Sequence, residues 1–212
     1  MMRTACAGLG VGLLGLIWLG PLPTLARQSF AAHMTMHMGV VAIAAPLVAL
    51  ALAGSAHDPM RHIRWPAAAL AASMLELIVV WGWHAPVLHQ AARHGAPMLL
   101  LEQSSFLCAC LLLWLTAVGG HGERRQAGAG AGVAALLFTS MHMTLLGALF
   151  ALATRPLFQH SGATEANAVA DQQLGGAIML IVGGASYLIG GLCLSARLLG
   201  PLGAAPQRES IR

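Results

Sequence analysis

The sequence predicts an all-α protein, a polytopic transmembrane helix bundle with five or six spans, and three observations predict it. Mean hydropathy is +0.74, with 58% hydrophobic and 8% charged residues, a balance foreign to soluble domains. No charged residue lies between Arg27 and Asp58, Glu102 and Glu123, Arg125 and Arg155, or Asp171 and Arg197. Each gap can hold the roughly 20 residues a helix needs to cross the hydrocarbon core. A further apolar run, Trp65 to Trp83, is interrupted only by Glu76. No polar–apolar alternation marks a β-barrel, so helices must satisfy the backbone inside the bilayer.

Residues 1–26 read as a signal peptide or first membrane anchor, with Arg3 ahead of an apolar centre and Pro21 and Pro23 behind it. Residues 27–200 form the bundle, and 201–212 a cytoplasmic tail. The next helix runs from about His33 to Ala53, followed by a short basic loop through Arg61 and Arg64. Trp65 and Pro66 open a third helix ending at His84-Ala85-Pro86. A loop with His89, Arg93 and His94 leads to a fourth helix, about Met98 to Val118. A basic turn at Arg124 and Arg125 precedes a fifth, about Ala129 to Ala153. A polar, irregular loop from Thr154 to Asp171 reaches a sixth, about Gln173 to Leu199.

Alternating these spans sorts the arginines. Arg3, Arg61, Arg64, Arg124, Arg125, Arg197, Arg208 and Arg212 fall on one side, and only Arg27, Arg93 and Arg155 on the other. The richer side is expected to be cytoplasmic in a bacterial inner membrane. His33, His37, His84 and Asp171 then sit at the outer level, and His142 near mid-depth. The net charge of +4 comes from arginine in loops and tails, which signals topology rather than nucleic acid. Cys6, Cys108, Cys110 and Cys193 all lie in apolar runs, against a disulfide framework.

The concentrated chemistry is His33-Met34-Thr35-Met36-His37-Met38. Histidines four apart share a helix face, and imidazole with thioether suits copper, thioethers favouring Cu(I). Met34 or Met36 could flank the pair, while Met38 points further round, toward lipid. His84 arrives at the same level after Trp81 and Trp83, which read as interfacial belt residues. His142, between Met141 and Met143, is an intramembrane imidazole that must face the interior or a cavity. Glu76 carries the same cost and could accept protons or remain neutral and hydrogen-bonded. Asp171 could cap the last helix. No phosphate-binding glycine loop, HExxH, nucleophile elbow or CxxC occurs, so nothing announces an enzyme.

Taken with Trp83-His84-x-Pro86, Leu100-Leu101-Glu102-Gln103 and Asp171-Gln172-Gln173-Leu174-Gly175-Gly176-Ala177-Ile178-Met179, the hexapeptide resembles the CtaG-type cytochrome c oxidase assembly factors over roughly residues 30–195. Two departures stand out: five or six spans where about seven are expected, and Gln103 where many relatives carry histidine. The resemblance implies a metal site drawn from His33, His37, His84, His142 and Asp171, with Met34 as a soft partner. It also implies a role in oxidase maturation, with a haem–copper oxidase subunit and an extracytoplasmic copper donor as partners. The alternatives are a copper transporter using His142 and Glu76, and a b-type haem or quinone carrier, which needs two histidines at matched depth.

Overall fold

The computed structural model describes residues 1–63, 67–120, 123–158 and 164–199, with no side-chain description for 123–127. Arg64, Trp65, Pro66, His121, His160 and the 201–212 tail lie outside the described residues, as do the side chains of Arg124 and Arg125. Ten α-helices are described: α1 (Met2–Leu19), α2 (Leu22–Leu25), α3 (Phe30–Met38), α4 (Ala45–Leu52), α5 (Ala68–Trp83), α6 (Pro86–His94), α7 (Ala96–Val118), α8 (Glu123–Ala151), α9 (Glu165–Ile178) and α10 (Gly184–Leu199). Among the described residues, five continuous segments are long and apolar enough to cross a membrane, or six if α5 and α6, bent by 72°, count as one broken span. The polytopic helical bundle predicted from the sequence is what forms.

Two spans are single rods with a widened π turn in the middle. Gly39–Ala44 joins α3 to α4, and Met179–Gly183 joins α9 to α10. The first has a covalent cause. Pro46 has no N–H to give Ala42, four residues back, so the helix ladder loses a bond there. Ser186 on α10 supplies the replacement, its Oγ donating to the Ala42 carbonyl at 2.7 Å. Cys110 on α7 likewise donates to the Val41 carbonyl at 3.0 Å. A defect in one helix thus becomes a tie to two others.

Helices meet closely where glycine removes a side chain. A Cβ on Gly176 would stand 2.4 Å from the Ala151 backbone nitrogen and 2.6 Å from the Gly147 carbonyl oxygen, so α8 and α9 touch backbone to backbone. Gly10 of α1 and Gly39 serve the same purpose against Val48 and Ile17. At the opposite end of the bundle from the histidines, Asp58 clamps two turns. Its carboxylate accepts from Gly54, Met60 and Gly120 backbone nitrogens.

The distribution of side chains is inverted relative to a soluble domain. Ile78, Met141 and Ile181 are exposed, whereas His33, His37, Glu76, Glu102 and Gln172 are buried. An apolar exterior around polar interior groups is the arrangement a bilayer imposes.

Three expectations are corrected here. The stretch with His89, Arg93 and His94 is helix α6, begun by Pro86 at a position where its missing N–H costs nothing. The last span starts eight residues early, at Glu165, because Thr164 caps it by accepting from Asn167 N. Asp171 therefore sits inside α9 and cannot cap it. It caps α3 instead: Oδ2 accepts from Phe30 N at 2.6 Å, and Oδ1 from Ser29 Oγ at 2.6 Å and Ala31 N at 3.3 Å. A carboxylate at a helix N-terminus meets both unpaired N–H groups and the positive dipole end. Asp171→Asn should cost about 1–2 kcal/mol in thermal unfolding of the detergent-solubilised protein. An unchanged midpoint would refute this role.

Candidate functional site

The Asp171 cap fixes where α3 begins, and with it the direction of the hexapeptide. His33 and His37 fall on one face, their rings nearly parallel at 4° and 6.1 Å apart. Both are fully buried. The neighbouring face carries Met34, which turns to α9, and Met38, which turns to the π turn that follows α9. A Cβ on Gly175 would come within 3.1 Å of Met34 Cγ, and one on Gly183 within 3.5 Å of Met38 Sδ. Met38 is thus a helix-packing residue and not a lipid-facing one.

His84 completes the histidine triangle from the C-terminus of α5, with ring centroids 5.5 Å from His33 and 5.2 Å from His37. Pro86 ends α5 immediately afterwards and turns the chain into α6. His84 Nδ1 lies 2.6 Å from the Val80 carbonyl. A carbonyl only accepts, so Nδ1 holds the proton and Nε2 keeps its lone pair. That Nε2 is buried without a hydrogen-bond partner, as are both ring nitrogens of His33 and His37.

Helix α6 brings the fourth ring. His89 is buried, 4.8 Å from His33 in an edge-on arrangement. Four residues on, on the same face, Arg93 reaches Glu102 of α7 at 2.5 Å and the Ala26 carbonyl at 3.2 Å. Glu102 Oε2 also accepts from Gln103 Nε2 at 3.1 Å and lies 3.9 Å from His33 Nδ1, while Oε1 is unpartnered. One donor atom each of His33, His89 and Glu102 lies within 4.8 Å of the other two. Donors around a tetrahedral ion with ~2.0 Å bonds stand roughly 3.3 Å apart, a gap that side-chain rotations can close.

Phenylalanine walls the chamber. Phe30 stacks on Phe158 at 4.4 Å and contacts His33, His84 and His89. Phe106 lies 4.0 Å from His37, Phe150 5.7 Å from His84, and Phe158 4.4 Å from His89. The Asp171-Gln172-Gln173 run builds this wall. Gln172 accepts from Leu157 N at 2.7 Å and Gln173 donates to the Ala153 carbonyl at 3.0 Å, pinning the segment that carries Phe158.

Of the residues expected to bind metal, the structure brings together His33, His37 and His84. Met34 faces α9, Asp171 is occupied by the start of α3, and His142 lies on α8 beside its own helix's Phe138 at 5.7 Å. His89 and Glu102 were missed as members. The signal for His89 was its four-residue spacing to Arg93 after a helix-starting proline, which puts one imidazole and one cation on the same face. Trp83, expected in an interfacial belt, is largely buried and donates to Ser105 Oγ at 2.8 Å.

A closed chamber of four imidazoles and a carboxylate–guanidinium pair, at one end of a multi-span bundle, defines a membrane protein with an internal imidazole site. The family model for cytochrome c oxidase caa3 assembly factors (Caa3_CtaG) matches residues 1–200, and the chain belongs to that family. No curated protein and no solved structure matches it.

The buried ion pair holds this site together. Arg93→Gln leaves Glu102 without its cation and should lower stability by about 3–5 kcal/mol, most of it recovered in Arg93→Gln/Glu102→Gln. Thermal unfolding in detergent reads both. A single variant as stable as the native protein would refute the pair's structural role.

Proposed function

We propose that this cytochrome c oxidase assembly factor acts by holding copper in transit within the imidazole chamber, on the outer side of a bacterial inner membrane, and passing it to an oxidase subunit. The observation that carries the reading is the set of buried, unpartnered ring nitrogens on His33, His37 and His84, above all His84, whose backbone bond presents Nε2 as a lone-pair donor. A backbone carbonyl that takes the proton of the other ring nitrogen and so fixes the tautomer is the usual support for a metal-binding histidine. Imidazole is a good ligand for copper. His33, His37 and His84 are the proposed ligands, with His89 joining from α6 and the Glu102 carboxylate beside His33.

The electrostatics favour transit over storage. Arg93 already balances Glu102, so the chamber offers lone pairs without net negative charge. An ion held so is released by exchange with a better donor set. The bent α5–α6 pair is the element whose movement would admit a copper donor or open the site to the oxidase. Handling without catalysis is the role the assembly-factor family suggests.

Copper analysis of protein purified under reducing conditions tests the site. The native protein should carry copper, His33→Ala/His37→Ala should lose it, and His142→Ala should keep it. Equal copper in the native and double-variant proteins would refute the site. In cells lacking the protein, the oxidase should be deficient in copper and recover with excess copper in the medium; normal oxidase copper content there would overturn delivery.

A further inference from the structure

Below the chamber lies a second polar group that the copper reading does not use. Glu76 of α5 is 1% exposed. Tyr187 of α10 donates its hydroxyl to Glu76 Oε1 at 2.6 Å, and Glu76 Oε2 is buried without a hydrogen-bond partner. The other groups around this carboxyl are Cys110 of α7 and Thr139 of α8. Thr139 is tied to Ser73 Oγ at 2.6 Å, and Ser73 donates to the Ala135 carbonyl. Cys110 Sγ is 3.6 Å from the Tyr187 hydroxyl and donates to the Val41 carbonyl exposed by the π turn. Trp114 stacks on Tyr187 at 5.7 Å. The nearest imidazole along α8 is His142, three residues beyond Thr139. No arginine is among the carboxyl's described partners.

A carboxylate buried in a bilayer needs a cation or a set of donors; one phenolic hydroxyl does not suffice. Glu76 has the surroundings of a neutral acid: Tyr187 donates to Oε1, the nearby Thr139 hydroxyl and Cys110 thiol are engaged by Ser73 and the Val41 carbonyl, and Oε2 has no hydrogen-bond partner among the described residues. We propose that Glu76 and Tyr187 form an intramembrane proton-binding site, separate from the imidazole chamber, whose proton is carried on Oε2 and exchanged with bulk solvent in response to charge in the chamber. Glu76 is eight residues from His84 on the same helix, about 12 Å along the axis. Across that distance, at an effective dielectric near 20, one added positive charge changes the carboxyl's proton affinity about tenfold, or about one pH unit. The sign is fixed: positive charge above favours the carboxylate and lowers the pH at which the proton leaves. The chamber can therefore accept a cation while the bundle gives up a proton, with the interior charge unchanged.

Infrared pH titration of the full-length protein in nanodiscs tests this without copper. The native protein should show the carbonyl band of a protonated carboxyl at neutral pH. Glu76→Gln should abolish it, and Tyr187→Phe should shift its frequency by removing the one donor. Glu102→Gln, which leaves Arg93 as an uncompensated positive charge, should move the band's disappearance to lower pH, and Arg93→Gln/Glu102→Gln, which removes that charge while keeping the fold, should not. Carbodiimide labelling of Glu76 at neutral pH, read by mass spectrometry and absent in Glu76→Gln, checks the same proton in the unaltered bundle. An unprotonated Glu76 in the native protein would overturn the site, and an unmoved midpoint in Glu102→Gln would overturn its coupling to the chamber. If the chamber fails to bind copper, the copper reading falls while the band and its loss in Glu76→Gln still decide this one.

Discussion

The buried pair of Arg93 and Glu102 is the constraint on which the site depends. A guanidinium or a carboxylate alone would be intolerable at this depth. Together they can be enclosed, and they bring two helices with them. Arg93 belongs to α6, a short helix that would otherwise be a surface connection. Its bonds to Glu102 on α7 and to the Ala26 carbonyl ahead of α3 bring it against the bundle. With it comes His89, on the same face. The chamber thus gains a fourth imidazole through an interaction that makes no use of a metal.

The other pieces are placed by local covalent and hydrogen-bonding rules acting across helices. Asp171 sets the start of α3 from α9, and so aims His33 and His37. Pro86 stops α5 just after His84, whose ring then turns back to the Val80 carbonyl. Pro46 breaks a backbone ladder and leaves a carbonyl that Ser186 takes up. In each case a helix end or defect exposes a polar backbone group, and a side chain from another helix satisfies it. Inside a bilayer these bonds have no water to compete with them, which is why so few polar residues suffice to fix the register of the whole bundle.

Much of the fold was legible from charge gaps and hydropathy, because spanning helices are selected by length and composition, and both are local properties. The helix period also placed His33 and His37 together and turned Met38 away from them, while leaving Met34 beside the pair, where the structure instead packs it on Gly175. What was not legible depended on partners distant in sequence. Asp171 at a helix-like position suggests a local cap, and only the approach of α9 to Phe30, permitted by Gly175, reveals a cap across 141 residues. His89 reads as a loop residue until the arginine four positions later is seen to be buried. Glu102 was visible as a polar residue in an apolar helix, but its cation came from outside that helix. Each of the five phenylalanines lies against an imidazole ring, and only for Phe30 with His33 and Phe138 with His142 does the helical spacing make that contact foreseeable.

The arrangement of donors also changes what the methionine-rich sequence means. Thioethers beside imidazoles in a hexapeptide suggest a mixed soft site. On the helix Met34 stands about 60° and Met38 about 100° from His37, with the imidazoles toward α5 and α6, Met34 toward Gly175 of α9 and Met38 toward Gly183 in the π turn that follows that helix. Unbranched and flexible, methionine fills the space those glycines leave, and so seats the helix that carries the histidines. In the proposed reading the site is therefore an imidazole site with a neutralised carboxylate, harder than the sequence suggests, and its selectivity for copper rests on geometry and on what the donor and acceptor proteins present. The neutral acid one storey below then matters more, because a chamber without net negative charge relies on the surrounding bundle to balance a cation while it stays there.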